Sequence, residues 1–80
     1  MTDEVTAAIA ANIRAERARA GLSQKQVADR MRKRGFVTWH PQTVGQVERR
    51  ERQVWTAEVY ALAEVLGADP ETLWRVPLTG

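Results

Sequence analysis

The side chains best suited to chemistry lie on one predicted helix, at about residues 41–50. At 100° per residue, side chains within about 120° of one another form a polar stripe of Gln42, Thr43, Gln46, Arg49 and Arg50. Glutamine can make two hydrogen bonds to adenine and arginine two to guanine, while a threonine methyl can contact thymine. The stripe therefore suits base edges in a DNA major groove, although an ordinary solvated helix face can have the same composition.

The distribution of charge along the chain favours a polyanion as partner. The net charge is only +2, yet residues 14–52 hold eleven Lys or Arg against four Asp or Glu, and the segments on either side are acidic. Arginine outnumbers lysine ten to two, which suits two-point contacts with phosphate or guanine. A genome rich in G and C produces the same excess, so the arginine count alone does not identify the partner.

Length and composition exclude several classes of protein. The 80 residues fit a single domain over residues 1–80, with an apolar tail at 75–80. The absence of cysteine excludes a disulfide framework, and a single histidine disfavours a metal site. No apolar run approaches the roughly 20 residues that span a bilayer, and no signal peptide is visible. We expect a cytoplasmic protein without membrane contact, associated with the nucleoid when bound to DNA.

The same composition disfavours an enzyme. The chain has no thiol, one histidine, no glycine-rich phosphate loop and no carboxylate pair whose spacing marks it for acid–base chemistry. We therefore predict no catalytic residues, no cofactor and no metal.

Apolar periodicity and capping signals predict an all-α fold without strands. The expected helices cover about residues 3–20, 23–35, 41–50, 56–66 and 69–76. The residues expected at their N-caps include Asp3, Ser23, His40 and Asp69. Ser23 and Gln26 have the spacing of a capping box, and Gly21 and Gly67 are expected helix stops. The sequence therefore predicts five helices around one core.

Landmarks between about residues 9 and 74 follow the order typical of one large family. They are Arg17, Gly21-Leu22-Ser23-Gln24, Val27-Ala28, Thr43-Val44, Val47-Glu48, Ala61-Leu62-Ala63-Glu64-Val65-Leu66-Gly67 and Asp69-Pro70-Glu71-Thr72-Leu73. In this set and order the chain resembles the phage-repressor or Cro-type helix-turn-helix proteins, also called the xenobiotic-response-element (XRE) family. The resemblance implies a five-helix, repressor-like DNA-binding domain whose motif lies at about residues 23–50.

The resemblance also implies roles for individual residues. The family positions that face base edges are matched by Gln42, Thr43 and Gln46. Gln24 matches a glutamine that contacts a DNA phosphate, and Lys25 is a further phosphate candidate. His40 could point toward a phosphate or act only as the N-cap. The residues expected at the DNA backbone are thus Gln24, Lys25, His40, Arg49, Arg50 and Arg52. Lys, Arg and helix N-termini would hold the backbone, while the stripe would specify the sequence.

Arg17 and Glu48 are expected to have a structural role. Both lie on otherwise apolar, inward-facing sides of their predicted helices. The family often pairs residues at these positions, so the resemblance implies a partly buried salt bridge.

The chain departs from the family pattern between the two motif helices. The usual turn has about three to four residues, whereas residues 35–40 make a connection of six. The surrounding insertion at residues 32–39 is basic and aromatic. Phe36 and Trp39 could cover the edge of the core, or the basic turn could lie over a phosphate as a small wing.

The resulting expectation is a sequence-specific DNA-binding regulator, a repressor that needs no cofactor. Such short domains usually bind double-stranded DNA as homodimers on inverted repeats, because one recognition helix reads few base pairs. Dimerisation only on DNA is also compatible with the sequence. The alternative is a protein-binding adaptor or antitoxin with the same fold, for which DNA binding is secondary.

Overall fold

Five helices and no strand make up residues 4–76, the part of the chain that the computed structural model describes. They are α1 (Glu4–Ala20), α2 (Gln24–Lys33), α3 (Pro41–Glu48), α4 (Thr56–Leu66) and α5 (Pro70–Trp74). The predicted all-α fold is confirmed. Asp3, expected as the first N-cap, and positions 77–80 of the expected apolar tail lie outside the described residues. None of the five helices is long and apolar enough to cross a membrane.

Local capping signals set most helix ends. The Ser23 hydroxyl accepts a hydrogen bond from the Gln26 backbone N–H at 3.0 Å, and Gln26 Oε1 accepts one from the Ser23 N–H at 2.8 Å. This is the predicted capping box. Gly21 and Gly67 have φ values of +69° and +68°, the left-handed conformation that ends α1 and α4 as predicted.

The third helix is shorter than predicted, because it ends at Glu48 instead of about Arg50. Arg50 is the one non-glycine residue of the described chain with positive φ, at +63°. Its N–H bonds the Val47 carbonyl at 3.1 Å, and the Glu51 N–H bonds the Gln46 carbonyl at 2.7 Å. This pair of bonds is the Schellman ending, with arginine where glycine is usual. Arg50 therefore follows α3 and does not continue its stripe.

Every helix contributes to one hydrophobic core. Fully buried side chains include Ile13 of α1, Val27 and Met31 of α2, Val44 and Val47 of α3, Leu62 of α4 and Leu73 of α5. At only eight residues, α3 would not be stable alone, so packing on these neighbours holds it in place.

A buried carboxylate ties the end of α3 to two other helices. The Glu48 side chain, 3% exposed, accepts hydrogen bonds from Arg17 Nε at 2.6 Å and Arg17 Nη2 at 3.0 Å. Gln24 Nε2 donates to the same carboxylate at 3.3 Å, and Arg17 Nη1 donates to the Leu22 carbonyl at 3.0 Å. The hydrogen bond with Glu48 raises the pKa of Arg17, so this guanidinium stays charged.

A second buried carboxylate, Glu58, lies in the first turn of α4. It accepts hydrogen bonds from Trp39 Nε1 at 2.9 Å, from Arg52 Nη1 and Nη2 at 3.0 and 2.8 Å, and from the Trp55 backbone N–H at 2.9 Å. The Arg52 guanidinium carbon lies 5.0 Å from the centroid of the Trp39 ring. We call Trp39, Arg52 and Glu58 the Glu58 cluster.

Arg17→Ala is expected to destabilise the fold by about 3 kcal/mol, because the buried Glu48 carboxylate loses both guanidinium hydrogen bonds and keeps only Arg14, 4.0 Å away, as counter-charge. Thermal and denaturant unfolding measure the change. The matched control is Lys25→Ala, which removes the exposed ion pair with Asp29 and should cost little. Equal stability of the Arg17 variant and wild type would remove the ion pair from the explanation of the fold.

The stability contribution of Glu58 should depend on pH. Burial works to raise the pKa of Glu58, but the hydrogen bonds from Arg52, Trp55 and Trp39 outweigh it and hold the pKa below its ordinary value. Because the pKa of Glu58 is lower in the folded state, its ionised form stabilises the fold fully above the pKa of the unfolded state, about 4.3. This stabilisation is lost as the pH falls through the pKa of the folded state. The difference in unfolding free energy between wild type and Glu58→Gln should therefore shrink below about pH 4. A difference independent of pH in denaturant titrations would contradict this assignment.

Candidate nucleic-acid interface

Two glutamines on α3 are exposed and free to bind. Gln42 and Gln46 lie one helical turn apart, and neither side chain makes a hydrogen bond with another residue of 4–76. The opposite face of α3 holds Val44 and Val47 in the core, which fixes the rotation of the helix about its axis. Both amide groups are therefore presented outward with donors and acceptors unused.

Thr43 does not lie on the exposed stripe, and that expectation is wrong. It is only 8% exposed, and its hydroxyl accepts a hydrogen bond from the His40 backbone N–H at 3.1 Å. The predicted stripe covered about 120° and so included Thr43. Because Thr43 lies in the first turn of α3, its hydroxyl reaches the His40 N–H at the start of the helix. Thr43 therefore helps to begin α3, and its expected base contact stays a prediction.

Gln24 and Arg49 lie close to Gly45 of α3. A Cβ atom at Gly45 would lie 2.9 Å from Arg49 Nη1 and 3.5 Å from Gln24 Nε2. The first distance is too short for an ordinary contact, so the bare backbone leaves room for the arginine. Gln24, which is partly buried, is thus next to the C-terminal half of α3.

Basic side chains gather where α1 meets the end of α3. Arg49 and Arg50 are exposed, and together with Arg14 they border an open depression of about 420 Å³. The Arg14 side chain is 62% exposed, and its Nη2 lies 3.5 Å from the Glu48 carbonyl oxygen. Among residues 4–76, Arg49 forms its ion pair with the exposed Glu51, through two bonds of 3.1 Å. Arg14 Nε also lies 4.0 Å from Oε1 of the buried Glu48, so Arg50 is the rim arginine whose side chain has no partner among residues 4–76.

Sequence reasoning missed Arg14 as a candidate. The available signal was its spacing, because Arg14 lies three residues before Arg17 and therefore on the same side of α1. It also missed Glu58, whose signal was an acidic residue three positions after the N-cap of α4.

The remaining backbone candidates divide into exposed and internal groups. Lys25 and His40 are exposed, and Lys25 pairs with Asp29 at 3.0 Å. Arg52 is instead occupied inside the Glu58 cluster, because a buried carboxylate needs its counter-charge. The Arg52 guanidinium is thus bonded within the protein, and its expected contact with the DNA backbone stays a prediction.

The lengthened turn contains both apolar and basic parts. Trp39 is 1% exposed and Phe36 packs against the core, so these aromatic residues cover the core edge as the first alternative expected. Arg32 turns inward, with Nη1 donating to the Trp39 carbonyl at 2.6 Å. Lys33 and Arg34 are exposed, so they are available to a phosphate.

Comparison with known proteins agrees with this arrangement. The sequence model of the family described as "Helix-turn-helix domain" matches residues 8–75, which include all of α2 and α3. No curated protein and no solved structure matches the chain. The family match extends over most of the chain, from within α1 to the end of α5. The chain therefore belongs to the helix-turn-helix domain family.

Proposed function

We propose that this protein is a sequence-specific DNA-binding regulator that inserts α3 into the major groove and represses transcription. The observation that carries the proposal is the pair of exposed, unbonded amides of Gln42 and Gln46 on the second helix of the motif. An amide side chain can bond adenine at two atoms, which distinguishes that base from the other three. The protein would act in the cytoplasm, at the nucleoid.

Phosphate contacts would fix the register of α3 on the duplex. The exposed cations nearest its end are Arg14, Arg49 and Arg50, while Gln24 and Lys25 lie in the first turn of α2. Backbone N–H groups in a first helical turn also favour an anion. His40, the N-cap, is a further candidate contact at the opposite end of α3. Such contacts carry affinity without sequence information.

The backbone conformation of Arg50 supports a role for its side chain. The left-handed region costs a non-glycine residue on the order of 1 kcal/mol, and glycine would fill the same position without that cost. The Arg50 side chain makes no hydrogen bond or ion pair with another residue of 4–76. A strained position with an unused cation is best explained by a contact outside the chain.

Two copies would bind one inverted repeat. The eight residues of α3 reach only a few base pairs, and two-fold pairing doubles the sequence that is read.

One observation favours the protein-binding alternative. Tyr60 is half exposed and meets Trp74 edge-on, with ring centroids 5.2 Å apart, so α4 and α5 present an aromatic surface. That surface fits a second copy or the partner of an adaptor or antitoxin.

Selection of bound molecules from randomised duplex DNA tests the proposal directly. We expect enrichment of an inverted repeat and a steep loss of affinity as salt rises, because phosphate contacts release counterions. Sequencing at two salt concentrations measures both. Enrichment of one site without symmetry would contradict the dimer, and the absence of any enriched sequence would contradict the function.

Variants of Gln46 and Arg50 should separate sequence reading from backbone binding. Gln46→Ala should change the preferred sequence, whereas Arg50→Ala should weaken all sequences and lower the salt slope by about one unit. Arg50→Gly should weaken binding equally while raising the melting temperature, because glycine relieves the left-handed strain.

The matched controls are Gln53→Ala, an exposed glutamine outside α3, and Arg75→Ala, an exposed cation at the end of α5. The first should keep the sequence preference and the second should keep the affinity. An unchanged preference in Gln46→Ala would show that a different face of α3 reads the DNA.

A further inference from the structure

The six-residue turn creates a problem for a helix that must be held at a defined angle. Residues 35–40 contain more backbone dihedrals than a turn of three or four, so the turn alone constrains the next helix less. Backbone bonds join Gly35 to Arg32, Phe36 to Met31 and Trp39 to Phe36, at 3.0–3.1 Å. All of them lie within α2 and the turn. His40 also bonds the first turn of α3, but no backbone bond joins residues 35–40 to α1, α4 or α5.

Trp39 supplies the missing connection. It is the one fully buried residue of the turn and directly precedes His40, the N-cap of α3. Its carbonyl oxygen accepts the 2.6 Å bond from Arg32 of α2. Its indole N–H donates in the other direction, to Glu58 of α4 at 2.9 Å. Trp39, the residue before the N-cap of α3, is thus bonded to both α2 and α4.

The carboxylate that receives the indole is itself fixed. Two parallel N–H bonds from Arg52 and one from the Trp55 backbone occupy Glu58 together with the indole. The guanidinium of Arg52 also lies over the Trp39 ring. Apolar packing tolerates small rotations and slides, but a charge-assisted hydrogen bond has a preferred direction and length. The Glu58 cluster therefore admits one placement of the indole.

We propose that Glu58 is a positioning residue for sequence reading, acting through Trp39 to fix the point and angle at which α3 begins. Gln42 and Gln46 follow Trp39 by three and seven residues, so a shift at Trp39 moves both amides relative to the base edges. This inference rests on the proposed function. It gives the inserted turn a specific role and explains why Arg52 faces inward.

The first test is Trp39→Phe in the full chain. Phenylalanine keeps an aromatic ring below Arg52 but removes the indole N–H, so the bond to Glu58 is lost. We expect about tenfold weaker binding to the selected DNA, because a displaced α3 makes poorer contacts with the base edges. We also expect smaller penalties for mismatched bases and an unchanged salt slope, because the phosphate contacts stay in place.

The matched control is Ile13→Val, a fully buried residue of α1 that has no part in the Glu58 cluster. Both variants should melt at lower temperature than wild type. Binding is therefore measured well below each melting temperature, where a change in stability alone does not alter affinity. If Trp39→Phe binds more weakly than Ile13→Val under these conditions, the difference reflects the position of α3 and not a smaller fraction of folded protein.

Glu58→Gln provides a second route should Trp39→Phe not fold. Its amide oxygen can still accept the indole N–H, but the charge opposite Arg52 is gone. We expect reduced base discrimination with a smaller loss of affinity than Trp39→Phe.

Two outcomes would count against the inference, and they are distinguishable. Wild-type protein that selects a sequence, with Trp39→Phe and Ile13→Val binding it equally well, would overturn the positioning role alone. Wild-type protein that selects no sequence would overturn the proposed function, and the inference would fall with it.

Discussion

The buried carboxylate of Glu48 is the constraint on which the arrangement of the helices depends. It is the last residue of α3, and it accepts hydrogen bonds from Arg17 of α1 and Gln24 of α2. An ion pair of this kind adds little net stability over apolar packing, but loss of one partner is costly. Its contribution is therefore mainly to orientation. It brings α1, α2 and α3 together at one point, and separation of α1 from α3 would remove the arginines that balance the buried Glu48 charge.

The arginines of the basic middle segment divide into two groups with different physical tasks. Arg17, Arg32 and Arg52 direct their guanidinium groups inward, to carboxylates or to a carbonyl. Arg14 and Arg50 are exposed and border the depression beyond α3. A planar guanidinium suits both tasks, because the same donors match a carboxylate and a phosphate. The count of eleven Lys or Arg in residues 14–52 therefore exaggerates the number of cations available to DNA, and only their placement separates the groups.

The fold was predictable from sequence where the determining interactions are local. The Ser23 capping box and the glycine stops need only neighbouring residues, so they could be found without tertiary information. The end of α3 was mispredicted because Arg50 adopts a conformation that its residue type does not indicate. The Glu58 cluster could not be predicted because residue 39 meets residue 58 only after the chain folds. In the candidate site, the exposure of Gln42 and Gln46 could be predicted from helix geometry alone. The inward direction of Arg52 depends on its bond to Glu58, six residues further along in α4.

The two buried carboxylates hold α3 from opposite ends. Glu58 acts on the residue that precedes its N-cap, and Glu48 is its C-terminal residue. Eight helical residues span about 12 Å, so Gln42 and Gln46 are both within about 12 Å, along the helix axis, of its two anchored ends. A reading helix fixed at both ends loses little conformational freedom on binding, and a pre-organised surface costs less entropy to dock. The buried carboxylates near α3 thus hold the helix in place. The amides of Gln42 and Gln46 take no part in these bonds and stay free for a partner.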